Sequence, residues 1–173
     1  VRSGSALDDA RPLAFVYTGM GPQWWGMARG LLRHNAVFRA AVDRCDAAIA
    51  PLTGWSLTAE LLAPETDSRM AESVVAQIAN FGVQYALTRL WESFGVRPDL
   101  IVGHSAGEVA AALEAGALTF DDAITVIVHR ARIQHTASGG GRLLAVALGE
   151  TAAAELPEVV RGEVRRIKEE AAR

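Results

Sequence analysis

The chain has 173 residues, of which 50% are apolar, and a formal net charge of −3. That composition supports a buried core of single-domain size and excludes a disordered chain, and the dispersed Lys and Arg give no footprint for a nucleic acid. The apolar segments are broken by Gln, Asn, Arg or Glu before the roughly 18 residues that a membrane span requires, and residues 1–12 hold no apolar signal core. The expectation is a soluble, cytoplasmic protein with no membrane partner.

In chain order, residues 1–12 read as an incoming linker and residues 13–17 (LAFVY) as a short buried strand, ended by the glycine turn TGMGPQ. Helical spacing of apolar residues covers 23–32 and again 36–50, with His34-Asn35 as a cap and Pro51 closing the second helix. Cys45, the single cysteine, falls on that helix's apolar spacing and reads as core packing, with no second Cys or nearby His to make a disulfide or metal site. Residues 56–62 form a short helix. A long helix follows over 71–94, with Val74, Val75, Ile78, Phe81, Val83, Tyr85, Leu87 and Leu90 on its apolar face and Gly95 ending it.

Residues 99–103 (DLIVG) read as a second strand, followed by a helix to Ala115. Thr119 caps the next helix, 120–136, which Ser138 to Gly141 break. A third strand is expected at 142–148 (RLLAVAL), and the rest reads as helix with a break near Pro157. Alternating strands and helices predict an α/β fold with parallel strands, whose C-terminal ends carry the glycine turns and hence the site.

The stretch IVGHSAGEVAA, residues 101–111, carries G-x-S-x-G between the second strand and its helix. Such an elbow needs small residues two before and two after the serine, and Gly103 and Gly107 supply them. Ser105 is the candidate nucleophile. At the start of the helix it gains from the N-terminal dipole, and the N–H of Ala106 points to where a tetrahedral oxyanion forms. His104 adjoins the serine, but neighbours on a strand turn point in opposed directions, so its expected role is packing or hydrogen bonding, as one of the substrate-binding residues, rather than that of the base.

GHSAGE followed by VAAALEAGALTFDDAI resembles the active-site segment of the acyl-CoA:acyl-carrier-protein transacylases, the acyltransferase domains of type I polyketide and fatty acid synthases. FVYTGMGPQWWGMARGLL is similar to that family's first strand and glycine turn, and AQIANFGVQYALTRLWESFGVRPDLIVG to the helix and strand that lead into its elbow. HRARIQ supplies an arginine 25 positions past the nucleophile (130 − 105). The resemblance implies a second oxyanion N–H at Met20, with Gly19 and Gly21 letting the loop approach a thioester. It also implies pocket residues at Gln23 and Gln77, and Arg130 as the fork that holds a malonyl-type carboxylate. Gln77 is equally readable as a helix-surface residue. Arg132 falls on another face of the same helix.

The fold so implied is a partial hydrolase-like parallel-sheet core with flanking helices, residues 13–141, cut at the start of a ferredoxin-like small subdomain. Residues 142–173 are then the start of that subdomain or a remodelled helical tail. The family's base histidine lies far downstream, and none of His34, His104, His129 and His135 matches it, so the expected behaviour of the chain alone is little or no turnover. His135 is the best substitute on sequence order. The resemblance further implies acyl-CoA as substrate, the phosphopantetheine thiol of an acyl carrier protein as acceptor, a ketosynthase and other synthase domains as neighbours, and no bound cofactor or metal. Self-association through uncovered apolar faces is also expected.

Two rivals stay open: a serine esterase or thioesterase using Asp121 or Asp122 with His129 or His135, and a non-catalytic fragment. The choice between malonyl and methylmalonyl is open too. ESVVAQ has some likeness to a methylmalonyl-sorting segment, whereas Ala106 fits neither group.

Overall fold

Two four-residue strands, β1 (Ala14–Tyr17) and β2 (Leu100–Gly103), pair in parallel with Ala14 opposite Leu100 and Tyr17 opposite Gly103. The structure is a computed structural model that describes residues 11–137. The strand expected at 142–148, the break at 138–141, the helical tail and most of the 1–12 linker lie outside the described residues. The parallel pairing is the one expected. The burial differs: Tyr17 is buried and Phe15 partly so, whereas Val16 is 64% exposed and its pair mate Val102 51%. Side chains alternate across a strand. One face of the pair packs inward, while the other has no cover among the described residues.

Among the described residues six α-helices accompany this pair: α1 (Arg29–His34), α2 (Ala36–Thr53), α3 (Leu57–Leu62), α4 (Ser73–Ser93), α5 (Gly107–Glu114) and α6 (Phe120–Thr136). On α2, Phe38, Val42, Cys45 and Ile49 recur at helical spacing and are fully buried. They share one core with Leu57 and Leu61 of α3, Val75, Ile78, Phe81 and Tyr85 of α4, and Ala123, Ile124, Ile127 and Val128 of α6. Burying four such side chains on one stripe contributes about 2 kcal/mol each before entropy is counted. Cys45 is a packed hydrophobe, and burial pushes its thiol up to about 12.

Two boundaries differ from expectation. The helix expected from residue 23 starts at Arg29, because residues 25–28 form a turn and Ala28 sits at φ 67°, a left-handed conformation that stops helical propagation upstream. Arg29 stabilises that turn by stacking 4.6 Å from the Trp25 ring and donating to the Trp25 carbonyl. Pro51 does not close α2. The helix runs on to Thr53 and ends at Gly54, φ 80°. Near a helix end one missing N–H is tolerated, and Gly54 supplies the left-handed stop. The Asn35 cap is as read, its Oδ1 accepting from the Phe38 N–H at 2.9 Å. The Thr119 hydroxyl likewise caps α6 by accepting from the Asp122 N–H at 3.2 Å.

The ion pair between Arg89 and Glu114 ties α4 to α5. Burial pushes the Glu114 carboxyl up, outweighing the attraction of Arg89, which lowers it. A raised carboxyl binds its proton more tightly folded than unfolded, so its contribution is full at acid pH and falls as pH rises from the ordinary carboxylate range through the raised folded value. Urea unfolding across that range should show the wild type losing ground relative to Glu114→Gln as pH increases. A wild-type advantage that grows with pH would contradict this.

Candidate active site

The elbow is built from backbone strain and the absence of two methyl groups. Ser105 sits at φ 54°, a region costly for a non-glycine residue. The turn is closed by the Gly107 N–H donating to the His104 carbonyl at 3.0 Å and the Glu108 N–H to the Ser105 carbonyl at 3.1 Å. A Cβ on Gly103 would lie 2.8 Å from that of Ala111, and one on Gly107 would overlap the Tyr17 carbonyl. Both glycines are therefore needed for α5 to approach the sheet. The His104 N–H also donates to the Tyr17 carbonyl at 2.9 Å, fastening the elbow to the end of β1.

That fastening places the TGMGPQ loop over the serine. A Cβ on Gly19 would come within 2.9 Å of the Ser105 Cβ and 3.4 Å of the His104 Nδ1. Gly21 adopts φ 130°. Its N–H donates to the Gln23 Oε1 at 2.7 Å, and the same oxygen accepts from the Asn80 Nδ2 at 3.3 Å. Gln23 thus bonds the loop itself. Gly19 is buried and Met20 40% exposed. Among the described residues no backbone acceptor takes the N–H of Met20 or of Ala106.

Arg130 reaches the serine from α6. Its Nη2 donates to the Ser105 Oγ at 3.3 Å, and its Nη1 to the side-chain oxygens of Gln77 and, at 3.0 Å, Gln134. Gln77 is fully buried, which decides between its two sequence readings against the helix surface, and its Nε2 has no hydrogen-bond partner among the described residues. No carboxylate pairs with Arg130 among the described residues. Arg132, two residues on, turns away and donates to the Leu52 carbonyl.

Among the described residues no histidine hydrogen-bonds Ser105. His104 is exposed, and no hydrogen bond of its ring is present among the described residues. His135 faces Ser73, 3.5 Å from its hydroxyl, instead of Ser105. Asp122 is occupied by the Thr119 hydroxyl at 2.6 Å. Two residues that apolar periodicity does not single out, Asn80 and Gln84, do contact the site loop, Gln84 through its Nε2 to the Thr18 carbonyl at 2.7 Å. Their signal is the spacing of Gln77, Asn80, Gln84 and Thr88 along one stripe of an otherwise apolar helix.

A family model described as the acyl transferase domain matches residues 14–166. Erythronolide synthase EryA2 of Saccharopolyspora erythraea is 41% identical over 147 residues, covering 85% of this chain and 4% of that protein. A loading acyltransferase from the avermectin modular polyketide synthase superposes with a TM-score of 0.68 at 41% identity, over 73% of this chain and 40% of that one. The malonyl-CoA:ACP transacylase of Synechocystis sp. PCC 6803 superposes with a TM-score of 0.64 at 26% identity, over 75% and 42%. The chain therefore spans under half of each of these solved structures and a small part of the synthase.

Gly107→Ala should destabilise the fold by about 1–3 kcal/mol, since its methyl has to displace backbone. Gly30→Ala, in α1 with open space around the added Cβ, should be neutral or stabilising by up to about 1 kcal/mol. Urea unfolding of both variants checks the contrast. Equal effects would show that close packing at the elbow is not the reason for Gly107.

Proposed function

This chain belongs to the acyl transferase domain family, and on that premise we propose that it carries the acyl-loading side of a transfer between thioesters. The substrate is a malonyl-type acyl-CoA, and the acceptor is the phosphopantetheine thiol of an acyl carrier protein within a polyketide or fatty acid synthase. The observation that carries this reading is the convergence of Ser105, the Gly19–Met20 loop and an arginine without a carboxylate partner among the described residues on one point.

Ser105 Oγ attacks the thioester carbonyl, and the negative charge forms on that carbonyl oxygen. The Met20 and Ala106 N–H groups are the donors available to it, and removal of one such donor commonly costs about 10²–10³ in rate. Collapse breaks the C–S bond and releases CoA as its thiol, leaving acyl-Ser105. Attack by the carrier thiol then reverses the sequence. Both esters are hydrolysable, so exclusion of water matters as much as activation. Arg130 offers the planar fork that suits the free carboxylate of a malonyl group, and Gln77 fixes its orientation. With that fork empty, as for an acetyl group, the partly buried charge lacks its partner.

The serine proton needs an acceptor, and no hydrogen bond joins a histidine to Ser105 among the described residues. The 173-residue chain is accordingly expected to acylate slowly. A hydrolytic triad is less supported: Asp122 serves the helix cap and His135 faces Ser73. Neighbouring synthase domains and a cytoplasmic location belong to the same proposal.

Incubation with malonyl-CoA and intact-mass measurement should show slow accumulation of a malonyl adduct that maps to Ser105 and is absent from Ser105→Ala. Free malonate without adduct would favour hydrolysis, and no change at all would favour a non-catalytic fragment. Arg130→Ala should lower malonyl loading by at least about tenfold more than acetyl loading, the loss of a charge-assisted pair. Equal losses would remove the carboxylate role from Arg130.

A further inference from the structure

We propose that Asn80 and Gln84 are positioning residues that set the oxyanion loop against Ser105, an inference that rests on the oxyanion role of the Met20 N–H. The two lie one turn apart on α4, hence on one face of it. Gln84 donates to the Thr18 carbonyl at 2.7 Å. Asn80 donates to the Gln23 Oε1 at 3.3 Å, which in turn accepts from the Gly21 N–H at 2.7 Å. The loop is thereby held on both sides of Gly19 and Met20 by a single rigid element.

Among the described residues no other side-chain hydrogen bond reaches the loop. Gly19 and Gly21 bring no side chain to pack, and Met20 projects outward. Its approach to Ser105 is nevertheless tight. A displacement of about 1 Å suffices to take a donor out of reach of a forming oxyanion. Asn80 is only 7% exposed, and a buried carboxamide in an apolar helix is costly unless its hydrogen bonds are made. The bond to Gln23 accounts for its presence. One turn earlier on the same helix Gln77 holds Arg130, so α4 sets the distance between the oxyanion loop and the guanidinium. Thr88, further along the stripe, instead bonds the Tyr17 hydroxyl at 2.9 Å, in the strand rather than the loop.

The test uses an alkyl fluorophosphonate that labels Ser105, followed by intact mass at several probe concentrations, with the melting temperature of each variant. Asn80→Leu and Gln84→Met should lower the maximal labelling rate by about 10- to 100-fold while leaving the half-saturating concentration within about twofold. Thr88→Val should lower the melting temperature without changing the labelling rate. The inference is overturned if the loop variants keep the wild-type maximal rate, if rate follows melting temperature alike in all three variants, or if wild-type Ser105 is not labelled. Should Asn80→Leu fail to fold, Gln84→Met, at a partly exposed position, decides alone. Labelling of the wild type without a malonyl adduct from malonyl-CoA would count against the acyl-CoA reading and leave the loop assignment intact.

Discussion

The close approach of Gly107 to the Tyr17 carbonyl is the contact on which the rest of the site depends. It seats the start of α5 on the end of β1, so that the turn carrying Ser105 and the loop leaving β1 share one small volume. A side chain at residue 107 would push the helix outward and separate nucleophile from loop. The strain at Ser105 has the same origin, because a strand that turns into a helix within three residues requires a left-handed step, and packing on both sides holds it there. Reactive geometry here comes from what is left out at Gly19, Gly103 and Gly107.

Polar groups then complete an arrangement that apolar packing starts. The core formed by α2, α3, α4 and α6 is almost entirely hydrocarbon, and α4 contributes to it along one stripe while an adjoining stripe presents Gln77, Asn80, Gln84 and Thr88. Each of these has a partner outside its own helix turn: Arg130, Gln23, the Thr18 carbonyl and the Tyr17 hydroxyl. A helix fixed by burial along most of its length is a suitable mount for such bonds, since hydrogen bonds to a fixed frame lose less to entropy than bonds between two mobile parts.

Much of this is legible in the residues, and the misses have physical causes. The elbow, the caps at Asn35 and Thr119 and the stop at Gly95 depend on local chemistry, which residue type reports directly. The start of α1 is not legible because the left-handed step falls on Ala28, a residue with strong helix propensity, and the neighbouring Arg29 is held by a long-range bond to the Ala63 carbonyl that residue type does not report. Pro51 misleads, since a proline near a helix end removes only one hydrogen bond. The burial of Gln77 and the contacts of Asn80 and Gln84 escape because apolar periodicity counts hydrocarbon and treats a polar residue as a gap. The unbroken apolar run LAFVY makes the first strand read as buried, whereas only one face of the strand pair is covered among the described residues.

The burial of Cys45 has a practical side. Thiol reagents act on the thiolate, and a group shielded on α2 with its ionisation pushed to about 12 offers almost none at neutral pH. Since it is the single cysteine of the sequence, the folded chain is close to silent toward maleimides and iodoacetamides. A thiol placed on the exposed Met20 or Trp24 side chain would then report on the loop alone, with no background signal from the native residue unless the core opens.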